Sequence, residues 1–222
     1  MLIFQLLLVK FLAFNTASPP KTYAFDYIAE YEFRKSDTSA VRQIYVLTNS
    51  KDNSFNAMLI VKDQETAYLD FRDERGIKSS TLLNITAFFK AETVTYNCSG
   101  IIKSKPGSSA DKALETFSAT ADTIIDGKPY TQYRLKLDNG MDGDAWKYGT
   151  ATYIVESDTE FHSPFKFYAT YSDGYHLPST GFPNGIARDI FFRDSRSGTI
   201  QNRYVLKNHA SYKKFLKLPE CR

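Results

Sequence analysis

Hydrophobic and polar residues alternate along most of this chain. The alternation is clearest from residue 23 onward. Phe25, Tyr27, Ala29, Tyr31 and Phe33 fall on one side, and Asp26, Glu30 and Glu32 on the other. A period of two sends successive side chains to opposite faces of a strand, so this segment predicts a strand with one buried and one wet face. The same reading predicts strands over 41–48, 55–61, 66–71, 77–83, 93–98, 117–125 and 130–137. A meander then occupies 149–207, with extended aromatic runs at 151–156, 165–171, 186–192 and 199–206. Its turns are marked by Ser172-Asp173-Gly174, Pro183-Asn184-Gly185 and the stretch ending at Gly198. Asp126-Gly127, between two alternating runs, predicts a tight hairpin, because both residues tolerate the backbone angles that reverse a strand. A short helix is predicted over 84–92, with one further helical turn within 111–117 and another short helical stretch before Pro219. The polar segment 99–111, with Pro106 and Gly107, reads as an exposed loop.

Strands recurring every roughly 8–12 residues with tight turns, and no repeat of fixed period, predict a mainly β protein. The expected architecture is a curved antiparallel sheet or half-barrel of about eleven strands with one or two short helices. An outer-membrane barrel fits less well. Several strands are short and carry charge on both faces, and the chain ends in Cys221-Arg222 rather than an apolar aromatic strand.

Composition narrows the class. The 222 residues are 42% hydrophobic and 15% aromatic, enough for a packed core and too apolar for a disordered chain. One domain over 21–222 is expected, since all-β domains commonly reach this length. A net charge of +3 offers no basic stripe, so no nucleic-acid partner is expected. Residues 1–18 read as a signal peptide. Apolar runs flank Lys10, and small residues and then Pro19-Pro20 follow. Export implies a periplasmic or secreted protein with no membrane span once the signal is removed. In an exported chain the two cysteines, Cys98 and Cys221, suggest a disulfide that ties the chain's end to the sheet; two unrelated free thiols are the alternative.

The sequence offers little chemistry. The three histidines, His162, His176 and His209, lack zinc-ligand spacing and read as solvated loop residues. Cys98 lies in none of the local signatures of thiol enzymes, and neither a serine elbow nor a phosphate-binding glycine loop occurs. Asp138, Asp142 and Asp144 could in principle wrap calcium, but Gly149 stands where the terminal glutamate of such a loop belongs. No metal, cofactor or catalytic residue is expected. Asn84-Ile85-Thr86 and Asn97-Cys98-Ser99 match the glycosylation acceptor pattern.

The run at 151–156, Pro164 to Phe167, His176 to Ile186 leading into Asp189 to Asp194, and the hairpin at Gly198 together resemble the C-terminal half of LolA/LolB-like exported bacterial proteins. That resemblance implies a half-barrel lidded by short helices, whose cavity holds lipid or lipoprotein acyl chains. The helix that usually precedes the first strand in those carriers is not evident in this sequence, since Pro19-Pro20 leads almost directly into Tyr23. The expected function is therefore non-enzymatic binding of a lipid-like or other apolar ligand. Phe25, Tyr27, Tyr31, Phe33, Tyr133, Tyr153, Phe165 and Phe167 would line the inner face. Two other classes stay open. One is a periplasmic interaction or inhibitor protein with a filled core and an unknown protein partner. The other is an envelope hydrolase, which a carboxylate–histidine cluster in a cleft would favour.

Overall fold

The computed structural model describes residues 20–73, 75–103, 114–138, 150–156, 159, 179–180, 185–194 and 197–219. Within them lie thirteen strands and one short helix. The strands are β1 (Lys21–Ser36), β2 (Arg42–Thr48), β3 (Phe55–Val61), β4 (Thr66–Asp73), β5 (Ile77–Asn84), β6 (Thr93–Thr95), β7 (Ile101–Lys103), β8 (Leu114–Ile125), β9 (Lys128–Asp138), β10 (Thr150–Glu156), β11 (Ser179–Thr180), β12 (Ala187–Arg193) and β13 (Ile200–Leu218). The helix, α1 (Ile85–Lys90), sits between β5 and β6. All strands belong to one curved, half-barrel-like sheet with the order β11-β8-β9-β10-β12-β13-β1-β2-β3-β4-β5-β7, and β6 adds in parallel to β13. The sheet is antiparallel apart from β6 and β11, and the two ends of this order do not pair with each other.

The turns form where short-range chemistry demands them. Asp126 (φ 52°) and Gly127 (φ 80°) make the two-residue link between β8 and β9, both in the left-handed region that a tight hairpin requires. Gly185 lies at φ 120°, and a Cβ there would come within 2.7 Å of Glu156 O and of Thr159 Oγ1, so this turn accepts no side chain.

β1 and β13, distant in sequence, are neighbours in the middle of the sheet, paired from Lys21↔Leu218 to Ser36↔Gln201. Two register shifts interrupt the pair, between Phe25 and Tyr27 and between Glu30 and Tyr31. They have a packing consequence. On regular β2, Ile44 and Val46 enter one buried cluster while Leu47 enters another, so the two clusters lie on opposite faces of the sheet. β1 contributes Tyr23 and Phe25 to the second cluster but Ala29, Tyr31 and Phe33 to the first. The single face expected from the alternation is thus divided at Asp26. Asp26 itself accepts hydrogen bonds from the Ser50 N–H (2.8 Å) and hydroxyl (2.5 Å), which ties the irregular point to the β2–β3 turn.

Other expectations change as well. The stretch before Pro219 is strand, not helix. Lys214, Leu216 and Leu218 are buried at a period of two, and β13 is held between β1 and β6. Leu114 to Phe117 belongs to β8 rather than to a helical turn. His209 lies within β13, not in a loop, and the expected loop at 99–111 contains β7, paired with β5. The strand expected at 165–171, the segment 1–18, the acidic loop beyond Asp138, His162, His176 and Cys221 lie outside the described residues.

Candidate functional site

The site is built around α1. Asn84 opens the helix, its side-chain oxygen accepting from the Ala87 N–H at 2.9 Å and satisfying one of the unpaired donors of the first turn. Phe88 anchors it in the cluster of Tyr23, Phe25, Phe55, Leu59, Leu69, Phe71, Tyr96 and Leu216. Lys214 closes its other end. Fully buried on β13, its Nζ donates to Phe88 O at 2.6 Å and to Ala91 O, and lies 4.5 Å from the Phe88 ring and 5.1 Å from the Tyr212 ring. A cation at a helix C-terminus meets the carbonyls that the helix leaves unpaired. Burial pulls the Lys214 ammonium below the ordinary lysine range, against the attraction of Glu92.

A helix of six residues covers only about 9 Å of sheet. Among the described residues, the sheet face beside α1 is only partly covered. There Ile28 and Glu30 of β1, Tyr45 of β2, Asn208, His209, Ala210 and Tyr212 of β13, and Phe89 of α1 line a cleft of about 100 Å³. The register explains the grouping: Ile28 pairs with Ala210, and Glu30 with both Asn208 and Tyr45, so these side chains share one face. Phe89 stands nearly perpendicular to Tyr45 (79°, centroids 5.2 Å) and to Tyr212 (67°, 6.2 Å), making two aromatic corners. Gln43 donates to the Glu30 carboxylate at 2.6 Å. Burial, and then the Glu30 charge, push the Tyr45 phenol above its ordinary range, while burial alone raises Tyr212. Both rings are therefore neutral phenols at physiological pH.

A second polar cluster sits at the far side of the same core. Buried Asp73 accepts from the Tyr23 hydroxyl (2.6 Å), from Lys21 Nζ (3.1 Å) and from the N–H groups of Arg75 (3.0 Å) and Ile77 (2.9 Å). Burial acts to raise this carboxyl, but the hydrogen bonds from Tyr23, Ile77 and Lys21 outweigh it and hold the group below the usual aspartate range. With every partner supplied by the protein itself, this cluster is an anchor for the β4–β5 turn. On the other half of the sheet, Arg203 grips Asp189 with Nε (3.0 Å to Oδ1) and Nη2 (2.5 Å to Oδ2), fastening β12 to β13.

The residues expected to line a ligand face are distributed between the two clusters. Phe25 is buried on the α1 side, edge-on to Phe55 at 5.2 Å. Tyr31 and Tyr153 are buried on the opposite side, where the Tyr31 hydroxyl donates to Ala187 O at 3.0 Å. Phe33, tilted against Tyr204 with ring centroids 4.7 Å apart, and Tyr133, the cross-strand partner of Tyr153, pack against that same cluster. Tyr27 is half-buried opposite Thr48. Phe165 and Phe167 lie outside the described residues. Cys98 lies in an exposed 3-10 turn, Cys98–Gly100. The cleft residues Ile28, Tyr45, Phe89 and Tyr212 were not among those expected. Ile28 and Glu30 sit on the face that reads as wet, and the one local signal was the Phe88-Phe89 pair within the anticipated helix. Among the described residues, no group of three or more His, Cys, Asp or Glu could hold a metal ion, and no helix is long and apolar enough to cross a membrane.

No family model and no curated protein matches the chain. Solved structures do. The MucA/MucB complex of Pseudomonas aeruginosa matches with 7% identity over 84% of this chain and 51% of that one, TM-score 0.39. This chain thus spans about half the length of the MucB structures it matches. A putative outer membrane lipoprotein-sorting protein domain from Vibrio parahaemolyticus matches with 12% identity over 84% of this chain and 85% of that one, TM-score 0.34. A LolA superfamily protein from Nitrosomonas europaea matches with 13% identity over 90% and 87%, TM-score 0.30. LolA-superfamily proteins, the group the meander resembles, are thus among the solved structures similar to this chain.

Proposed function

We propose that this chain is an exported, non-enzymatic binding protein that takes a lipid-like or other amphipathic ligand on the sheet face beside α1. The observation that carries the reading is the cleft at the end of the helix, where Ile28, Tyr45, Phe89 and Tyr212 leave apolar surface open to solvent beside Glu30 and Asn208. A concave, mostly apolar site with few polar groups is the usual form of a small-molecule site. The helix is short and held at both ends by single side chains, Asn84 and Lys214, so it can serve as a lid over this face. Export rests on the apolar start of the chain and its small residues before Pro19.

The test is native mass spectrometry of the mature protein purified from its own envelope, followed by organic extraction. A co-purifying lipid that leaves only on denaturation is the expected result. A bare mass, together with no uptake of a fluorescent fatty-acid probe, overturns the reading. An interaction protein would then take its place, with the opposite face as the candidate surface: Tyr68 and Leu82 are cross-strand neighbours, 41% and 49% exposed.

A further inference from the structure

We infer that the cleft selects a quaternary ammonium headgroup, held by Tyr45, Phe89 and Tyr212 with Glu30 as its counter-charge. The inference rests on the reading above, that this face binds an amphipath, and names the part of the ligand that the cleft recognises. Size is the first argument. About 100 Å³ is well below the roughly 300–1,000 Å³ of pockets that engulf a drug-sized ligand, so this cleft takes a headgroup rather than a whole chain. Shape is the second. Phe89 meets Tyr45 at 79° and Tyr212 at 67°, so the three rings lie in different planes beside the cleft, and it is their negative faces, not their positive edges, that attract a cation. Charge is the third. Among the described residues, Glu30 is the one carboxylate that lines the cleft, Gln43 fixes one of its oxygens, and neither lysine nor arginine lines it. An anionic headgroup would meet Glu30 unshielded. A primary ammonium wants several acceptors in close reach, whereas a methylated one is satisfied by ring faces and a nearby carboxylate. The adjoining core already shows this sign of attraction: the Lys214 ammonium lies over the rings of Phe88 and Tyr212.

The experiment is calorimetric titration of the mature chain with octyltrimethylammonium, octyl sulfate and octyl glucoside, each below its micelle concentration. Tetramethylammonium alone is followed in parallel by proton line broadening. The expected result is binding of the trimethylammonium probe about tenfold or more tighter than of the neutral one. Glu30→Gln and Phe89→Leu should each erase most of that preference without moving the circular dichroism spectrum. Tetramethylammonium should broaden with the native chain but not with Glu30→Gln. Equal affinity for the three probes, or a preference for the sulfate, overturns the cation inference and leaves the amphipath reading standing. Failure of all three probes to bind overturns both.

Discussion

At the scale of single residues, the buried charged groups among the described residues, Asp73, Asp189 and Lys214, each have a nameable task. Asp73 gathers four donors, two of them backbone, at a turn that would otherwise leave those N–H groups unpaired. Asp73→Asn is expected to lower stability by about 2–3 kcal/mol at pH 7, because it removes a charged acceptor and turns an amide toward Tyr23 and Lys21. The sign of the pH dependence follows from the lowered carboxyl. The fold favours the ionised form, so its contribution is present above the ordinary aspartate range near pH ~4 and is lost as pH falls through the lower folded-state value. Urea unfolding of both proteins should show the gap narrowing below about pH 4. A gap as wide at pH 3 as at pH 7 would show that the packing of Asp73, not its charge, stabilises the turn. Tyr23, Tyr31 and Tyr96 are raised beyond the ordinary tyrosine range, chiefly by burial, which marks their hydroxyls as structural donors.

At the scale of elements, α1 is the part with least intrinsic support. Helices this short do not persist alone in water, so its order comes from Phe88, Asn84 and Lys214. Lys214→Met keeps the volume and removes the donor to Phe88 O and Ala91 O. Hydrogen exchange should quicken at residues 87–91 while amides of β1 and β2 keep their protection, with a global loss of about 1 kcal/mol. Unchanged protection at the Ala91 N–H, which donates to Ala87 O, would refute the capping role. The same fraying should weaken amphipath binding, because Phe89 forms the helix side of the cleft. The helix was legible in the sequence, at 84–92, since Asn84 is a good cap and Phe88-Phe89 a buried-face signal. The side chain that closes its far end was not, because Lys214 lies far along the chain and reads there only as one of several C-terminal lysines.

At the scale of the whole molecule, the chain's described ends meet. β1 and β13 are partners, and β6 runs parallel to the end of β13, with the Tyr96 N–H donating to Lys217 O at 2.9 Å. The parallel pairs Thr93↔Phe215, Val94↔Leu216 and Thr95↔Lys217 run the two segments the same way, and in the sequence Cys98 follows Thr95 by three residues and Cys221 follows Lys217 by four. On this ground we propose the Cys98–Cys221 disulfide that the sequence suggests. A closed loop of that length would contribute roughly 4–5 kcal/mol in the chain-entropy model. A non-reduced peptide map should show the two cysteine peptides linked, and reduction should lower the urea midpoint. Two thiols alkylated under denaturing, non-reducing conditions would overturn the pairing.

By itself the sequence determined the local grammar of this protein. The bounds of β3, the Asp126-Gly127 hairpin and the place of α1 follow from period, turn chemistry and capping, each readable within a few residues. Only the tertiary structure decided which face is which. Apolar residues recur at every second position from Phe25 to Phe33, yet a register shift against β13 puts Phe25 in the cluster that holds Phe88 of α1 and Tyr31 in the other. A bulge depends on the partner strand, and the partner of β1 is the last described strand of the chain. The cleft has the same origin: Ile28, Tyr45, Phe89 and Tyr212 are separated along the chain and become neighbours only when the sheet register and the length of α1 are set.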